Sequence, residues 1–405
     1  MKTRKTDYSE IAMKYDEARS GWVIPLDKDL AAIGKEKTPV FALDVGCGTG
    51  NYIRAQLAHQ KGLVHWTGAE LSLSALYESE RYDLVAVADL KEETRNEICE
   101  MFPGIRAFAS YEEMFRECPT DVVCVSTWPP SHLEVARAAI ELPLKGILVE
   151  KPLADTWERG KEVLDLIKDR GLPMVVPHGL LVANHVREIV ERVHAGEIGE
   201  LRLIEIQCRN WDIINAGIHW LNFVVHLVPD ATFTSVMCLC DASTRTFRDA
   251  MQVETSAVTY VQADNGLRVV MHTGDTIQVS EHGKGVLFRL IGSEGTIDFY
   301  GWLPEYRVLN ADHPKGERYE VDPDGNRHQL HLENLANQID SGIADYGVGE
   351  SSLRALELVE AAYLSNRYGC EVRLALVDFQ KPEQTDWDPG TPYSGEGGGR
   401  DGRKL

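Results

Sequence analysis

From Pro39 to about Pro177 the chain repeats one rhythm: the apolar runs VFALDVG, VHWTGAEL, DLVAVADL, DVVCVST, GILVEKP and LPMVVPH alternate with amphipathic, helix-like stretches. Apolar runs that need a crossover between them are the pattern of parallel strands joined by helices, so this stretch is expected to fold as a doubly wound, Rossmann-like α/β sheet. Capping chemistry marks the helix starts. Ser110 precedes Glu113, Ser131 precedes Glu134 and Asp155 precedes Glu158, each a side-chain acceptor three residues ahead of a carboxylate. Gly171 supplies a stop for the helix through Val163, Leu164 and Ile167.

After His178 the period changes. LRLIEIQCRN, VETSAVTYVQ, LRVVMHTGD and GVLFRLIGSEGTIDFYG are longer β-type runs, and Asp264-Asn265-Gly266 between two of them is a hairpin signal. This predicts a second α+β domain with a largely antiparallel open sheet. Two helical stretches follow; in the second, Leu353, Leu356, Val359 and Tyr363 share a face and are expected to pack on that sheet or on the first domain. Past Val372 the chain is too rich in Gly, Pro and charge for a core. The expected division is an N-terminal extension over 1–37, the Rossmann-like domain over 38–177, the α+β domain over 178–372, and a flexible tail over 373–405.

Charge narrows the partners. Forty-two Lys and Arg stand against 63 Asp and Glu, a formal net charge of -21 that repels phosphate backbones and anionic membranes, so neither nucleic acid nor membrane is expected. The cysteines show no C-x-x-C pair and no zinc spacing, which points to reduced thiols and no metal site. The start of the chain has no apolar stretch like that of a signal peptide, and a cytoplasmic location is expected.

The strand Gly146 to Val149 ends by delivering Glu150, Lys151 and Pro152, and ligands on open α/β sheets gather at the carboxyl ends of strands. Asp121 to Thr127 is another such strand, running into the rigid turn Trp128-Pro129-Pro130-Ser131-His132. With DLVAVADLKEE, SYEEM, EKP, NAGIHWLNF and IGSEGTIDF in this order, residues 78 to 375 resemble the Gfo/Idh/MocA family of nicotinamide-dependent oxidoreductases, which act mostly on sugars, polyols and related compounds.

The resemblance implies roles. Lys151 is similar to the family lysine that reaches both the nicotinamide ribose and the substrate hydroxyl, and His219 to the acid/base histidine. An Asp usual four residues before that histidine is here Asn215, which can orient imidazole but cannot neutralise imidazolium. Asp89 sits where a carboxylate accepts bonds from both ribose hydroxyls, favouring NAD, while Lys91 and Arg95 leave NADP open. Ser126, Thr127, Pro129, His132 and Glu150 complete the implied cofactor site. The segment HGLLVANHVREI lacks the family's Arg-Phe pair, and His178, His185 and His194 read as surface or substrate-pocket histidines. The implied reaction is hydride transfer between NAD(P) and a sugar-like or polyol alcohol, in a homodimer or homotetramer formed through the open sheet face. A non-catalytic binding or regulatory relative is the alternative from another class.

The front end departs from that body. Residues 1 to 77 resemble the N-terminal part of a class I S-adenosylmethionine-dependent methyltransferase, with YSEIAMKYDEAR, FALDVGCGTGNY and WTGAELSLSALY in order, so S-adenosylmethionine and methyl transfer stay open as a third reading. One strand position in the sheet has two claimants. Phe41 to Val45 can fill it, with Gly46, Gly48 and Gly50 exposing backbone N-H groups to pyrophosphate; alternatively VHWTG fills it and Gly68 makes the turn.

Overall fold

The computed structural model describes residues 40–45, 75–77, 79–118, 120–243, 246–279 and 284–380, with backbone alone for 40–45. The first sheet has six parallel strands: β1 Val40–Val45, β2 Tyr82–Ala88, β3 Arg106–Phe108, β4 Val122–Val125, β5 Gly146–Val149 and β6 Met174–Val175. Their order is β3-β2-β1-β4-β5-β6. The strand order reverses between β1 and β4, so the connections leaving them part to opposite sides and open a crevice at their carboxyl ends. Of the two claimants for the central position, Phe41 to Val45 holds it, with Val45 opposite both Ala88 and Val125. The VHWTG strand and the turns at Gly46, Gly48, Gly50 and Gly68 lie outside the described residues, as does most of the segment 1–77.

The crossover helices are α1 Glu92–Met101, α2 Tyr111–Glu117, α3 His132–Ala139 and α4 Trp157–Asp169. Ser110 caps α2 as expected, accepting from the Glu113 N-H at 3.2 Å. The other two caps are different. Ser131 instead donates to the Trp128 carbonyl at 2.9 Å, because two prolines turn the chain through a 3-10 turn, Pro129–Ser131, before α3. Thr156, not Asp155, caps α4 by accepting from the Arg159 N-H at 3.4 Å, while Asp155 lies 2.9 Å from Arg159 Nε in an ion pair. Gly171 ends α4 at φ 60°, a left-handed conformation that costs glycine little.

The second sheet runs β16-β15-β14-β13-β7-β12-β11-β8-β17. Its strands are β7 Leu201–Arg209, β8 Phe233–Asp241, β11 Ser256–Ala263, β12 Arg268–Gly274, β13 Val286–Gly292, β14 Gly295–Phe299, β15 Glu305–Asn310, β16 Glu317–Glu320 and β17 Val372–Arg373. All neighbours are antiparallel except β7 and β12. The Asp264-Asn265-Gly266 turn joins β11 to β12, with Gly266 at φ 90°. A short ribbon, β9 Thr246–Arg248 with β10 Met251–Val253, stands apart.

On the covered face lies α6, Ile218–Leu227, whose Trp220 and Phe223 meet Phe288 edge-on, with ring centroids 5.4 Å away in each case. Phe288 stacks on Phe299 at 4.5 Å. Burial of such rings is worth about 1.5–3 kcal/mol each, so this stack anchors the helix that carries His219. The hairpin between β13 and β14 is closed by glycine: a Cβ on Gly292 would land on the Ile198 carbonyl, and one on Gly295 would lie 2.6 Å from the Leu309 carbonyl. IGSEGTIDF therefore has a packing reason. On the opposite face Met237 and Leu239 stay 53% and 76% exposed, beside Val258.

Three further helices complete the fold: α5 Asn184–His194, α7 Arg327–Ser341 and α8 Gly347–Tyr368. Sequence places α7 in the second unit, yet it returns to the first sheet, where Leu332, Leu335 and Ala336 pack with Val122, Cys124, Leu148 and Val175. Arg81 fixes it there through Glu333 at 3.1 Å and Asp340 at 2.7 Å, and Tyr82 Oη donates to the Leu332 carbonyl at 2.7 Å. The face of α8 expected to pack on one partner packs on two: a Cβ on Gly160 of α4 would lie 2.8 Å from Leu356, while the Cys238 N-H of β8 donates to Ser365 Oγ at 2.9 Å.

Candidate active site

β5 is buried on both faces, so its first polar residues emerge at its carboxyl end as Glu150 and Lys151. Lys151 Nζ donates to the Asn215 carbonyl at 3.1 Å, across 64 residues of sequence. Asn215 lies in a turn of π-helix, Ile213–Gly217, that leads directly into α6, so His219 follows on the helix's first turn. The structure thus brings Lys151, Asn215 and His219 to one place. π-Helical turns recur at functional sites, where they re-aim backbone groups that an α-helix would bond internally.

Asn215 is held by its own turn. Asp212 Oδ1 accepts from the Asn215 N-H at 2.8 Å and from Asn215 Nδ2 at 2.9 Å, and Arg248 Nη1 donates to Asp212 Oδ2 at 2.7 Å. A carboxylate is therefore present beside the amide, three residues upstream, already paired with a buried guanidinium.

Four histidines link to one another or to Glu150 beside the lysine. The ring centroid of His219 lies 5.3 Å from that of His178 and 5.7 Å from that of Trp302, edge-on to each. His178, at the end of β6, shares a hydrogen bond with Ser352 Oγ at 2.9 Å, and its Nδ1 has no hydrogen-bond partner among the described residues. Helix α7 supplies the other two. His328 Nε2 lies 3.1 Å from Glu150 Oε1, and His331 bonds the His178 backbone while its Nε2 has no partner among the described residues.

Burial sets their charge. It pushes His331 down to about 4, helped by the neighbouring His328, and pushes His178 well below the usual imidazole range, with His331 and Lys151 adding to the effect. Burial raises the Glu150 carboxyl, but the His328 hydrogen bond, the His328 charge and Lys151 together outweigh it and leave the group below its ordinary value. The result is an ionised carboxylate beside two imidazoles held neutral.

At the crevice, Ser126 Oγ and Thr127 Oγ1 are buried at the end of β4 with no hydrogen-bond partner among the described residues. Buried hydroxyls are normally bonded, so this pair fits a polar ligand lying across the turn. Asp89 ends β2, where Oδ1 accepts from the Lys91 N-H at 2.7 Å and Arg95 donates to its carbonyl at 2.7 Å. It braces the start of α1 while standing at the position expected of a ribose partner. Pro129 opens the 3-10 turn, and His132 braces it from behind: Nε2 donates to the Thr127 carbonyl at 2.8 Å, and Nδ1 lies 3.3 Å from the Leu153 carbonyl. His132 is buried and shaped for holding two loops together.

Two histidine expectations change. His185 is buried and donates to the Gly301 carbonyl at 2.7 Å, and His194 donates to the Leu227 carbonyl at 2.8 Å, so both tie α5 to its neighbours. The residues missed in sequence are His328, His331, Asp212 and Trp302. Only the two histidines left a local signal, an i, i+3 pair on the stripe that continues as Leu332 and Leu335.

The model of the Gfo/Idh/MocA oxidoreductase family's NAD-binding Rossmann fold matches residues 62–178. Over these residues the first unit is similar to the nucleotide-binding domain of that family. The match begins downstream of β1, so the strand holding the central position and the glycine-rich DVGCGTG turn lie outside it. Among curated proteins, the chain is 25% identical to an uncharacterized oxidoreductase of Schizosaccharomyces pombe, over 29% of this chain and 31% of that protein. It is 24% identical to trans-1,2-dihydrobenzene-1,2-diol dehydrogenase of Danio rerio, over 58% of this chain and 71% of that protein. The match thus spans about a third of the first of these relatives and more of the second. In fold, the chain is similar to levoglucosan dehydrogenase solved with NADH and levoglucosan, with a TM-score of 0.65 at 16% identity, covering 84% of this chain and all of that one. The likeness in fold therefore reaches beyond the residues matched by the family model and into the second sheet.

Proposed function

We propose that the chain is an NAD(P)-dependent oxidoreductase that transfers hydride between a nicotinamide and the alcohol carbon of a sugar-like or polyol substrate. The observation that carries this is the 3.1 Å bond from Lys151 Nζ to the Asn215 carbonyl, which ties the end of β5 to the turn that opens on His219. Named functions of the relatives, a dihydrodiol dehydrogenase and a levoglucosan dehydrogenase, support the substrate class.

Ser126 and Thr127 would hold the cofactor at the crevice through their unpaired hydroxyls, and Asp89 would meet its ribose. Gly46, Gly48, Gly50 or Gly68 would offer N-H groups to the diphosphate, and Pro129 and His132 would keep the adjoining turn rigid. When bound, the nicotinamide supplies the hydride acceptor or donor. Lys151 would donate a hydrogen bond to the substrate oxygen and steady its charge as the proton leaves. His219 would take that proton, directly or through Lys151, and return it in the reverse direction. Trp302 beside His219 offers an aromatic wall suited to a sugar ring.

The units act as a dinucleotide-binding domain over 38–177 and a substrate domain over 178–372, with α7 crossing back. Met237, Leu239 and Val258 on the open sheet face support a homodimer or homotetramer through that surface. No helix among the described residues is long and apolar enough to cross a membrane, and a cytoplasmic location accords with the charge. Titration with NADH, NADPH and S-adenosylmethionine in parallel, followed by tryptophan fluorescence and then a panel of aldoses and polyols, tests the reading. Saturable binding of NADH or NADPH with turnover of a panel member supports it; saturable binding of S-adenosylmethionine alone overturns it.

A further inference from the structure

The π turn that presents the Asn215 carbonyl to Lys151 is not held by its own hydrogen bonds alone. The N-H groups that open a helical turn have no partner within it and must find acceptors elsewhere. Here three successive ones do: Ile213 N-H donates to Glu254 Oε1 at 2.7 Å, Ile214 N-H to Tyr363 Oη at 3.2 Å, and Asn215 N-H to Asp212 Oδ1 at 2.8 Å. Tyr363 Oη in turn donates to Glu254 Oε2 at 2.9 Å. All these acceptors are buried, and they come from three separated parts of the chain: the residue before the turn, the one directly after β10, and helix α8.

We propose that Glu254, acting with Tyr363, is the positioning residue of the active site: together they set the π-helical register that aims the Asn215 carbonyl at Lys151 and brings His219 in behind it. The proposal rests on the reading of Lys151 as the active-site lysine. Glu254 has no cation within hydrogen-bonding distance among the described contacts; its two oxygens are spent on one backbone N-H and one phenol. An ionised carboxylate in such surroundings is costly to bury, and a hydrophobic residue there would pack at less cost but leave the Ile213 N-H and the Tyr363 hydroxyl without their acceptor. Burial, with Asp212 beside it, raises the Glu254 carboxyl to about 7, in keeping with that cost. Arg248 serves the other carboxylate, bonding Asp212 at 2.7 Å with its guanidinium 5.4 Å from the Trp211 ring centroid.

The test compares Glu254→Gln and Tyr363→Phe with the wild-type protein in two measurements. The first is the rate at which Lys151 is acetylated by acetic anhydride at fixed pH, read by mass spectrometry of its peptide without any cofactor. Loss of the carbonyl acceptor lets the ammonium give up its proton more readily, so Glu254→Gln is expected to label at least about threefold faster. The second is steady-state kinetics, where displaced reacting groups are expected to lower kcat by about 10-fold to 100-fold while the cofactor KM stays within about twofold. Tyr363→Phe keeps the carboxylate and the ring, removes the Ile214 acceptor and the donor to Glu254 Oε2 while leaving the Ile213 bond in place, and is expected to move both readouts in the same direction by less. It also decides the question if Glu254→Gln does not fold.

A merely structural Glu254 lowers the melting temperature but leaves Lys151 labelling and kcat at wild-type values well below that temperature, and this result overturns the proposal. If labelling shifts while Lys151→Ala keeps full turnover, the positioning holds and the catalytic reading of Lys151 falls. If Lys151→Ala abolishes turnover while both variants label and turn over like wild type, the reading of Lys151 stands and the proposal falls.

Discussion

The two sides of the site are built in opposite ways. Lys151 arrives on a strand: four buried residues of β5 run straight to it, and local sequence alone decides where it emerges. The Asn215 carbonyl arrives on a π turn whose first N-H groups are bonded by Glu254, Tyr363 and Asp212, residues as far as 149 positions away in sequence. A strand end tolerates distant change. A turn assembled from distant acceptors transmits it, so substitutions near Lys151 should act on chemistry and those around the turn on geometry and pH response.

The largest effect is expected from Lys151→Ala, which should lower kcat/KM by about 10³-fold, within the range for a positioned proton-transfer group, while NADH binding by fluorescence changes only a few-fold. Unaltered turnover would remove the lysine from the chemistry. The histidine cluster comes next. His331 is held at about 4 in the folded protein against an ordinary 6.5, so the unfolded chain binds its proton more tightly. Its contribution to stability is present above pH 6.5 and is lost as pH falls towards 4, amounting to about 3 kcal/mol. Urea titrations of wild type and His331→Gln between pH 4 and 7.5 should isolate it: the wild-type stability should gain on the variant's as pH rises over that window. Glu254 works in the opposite sense, since its raised carboxyl costs stability as pH rises from the ordinary carboxylate range through about 7.

Two smaller effects sharpen the contrast. Gly292→Ala drives a Cβ onto the Ile198 carbonyl and should cost about 2–3 kcal/mol in chemical denaturation, with kcat unchanged in whatever protein remains folded. Asn215→Asp restores the acid usual in the family but places a second carboxylate where Asn215 Nδ2 now donates to Asp212 at 2.9 Å. Like charges at that distance cannot both ionise, so the change should destabilise the fold by about 1–3 kcal/mol rather than raise kcat. A gain in kcat with unchanged stability would show that the Asp212-Arg248 pair does not compensate for the amide.

The same contrast explains what the sequence revealed. The alternation of apolar runs and capped helices displays β1, β2, β4, β5 and β6 but not the three-residue β3, and Asp264-Asn265-Gly266 marks the β11 to β12 hairpin, because each of these signals depends on neighbours along the chain. Lys151, Asn215 and His219 were legible as motif residues. Their supports were not, since Glu254, Tyr363, His328 and Arg248 carry no local pattern and acquire their roles only when distant elements meet. Even local signals yielded where a rival was stronger: two prolines displaced the Ser131 cap, and Thr156 took the cap from Asp155 while that carboxylate faced Arg159.

Helix α7 gives this assembly an order in time. Glu150 waits for His328 across 178 residues, and Arg81 waits for Asp340 across 259. A chain emerging from the ribosome can pair its parallel strands early, but the underside of the first sheet stays uncovered, and His178 lacks the ring that bonds its backbone, until α7 has been made. The proposed site is thus among the last features a newly made chain acquires, and a truncated product would keep its parallel strands while lacking the partners of Glu150 and His178.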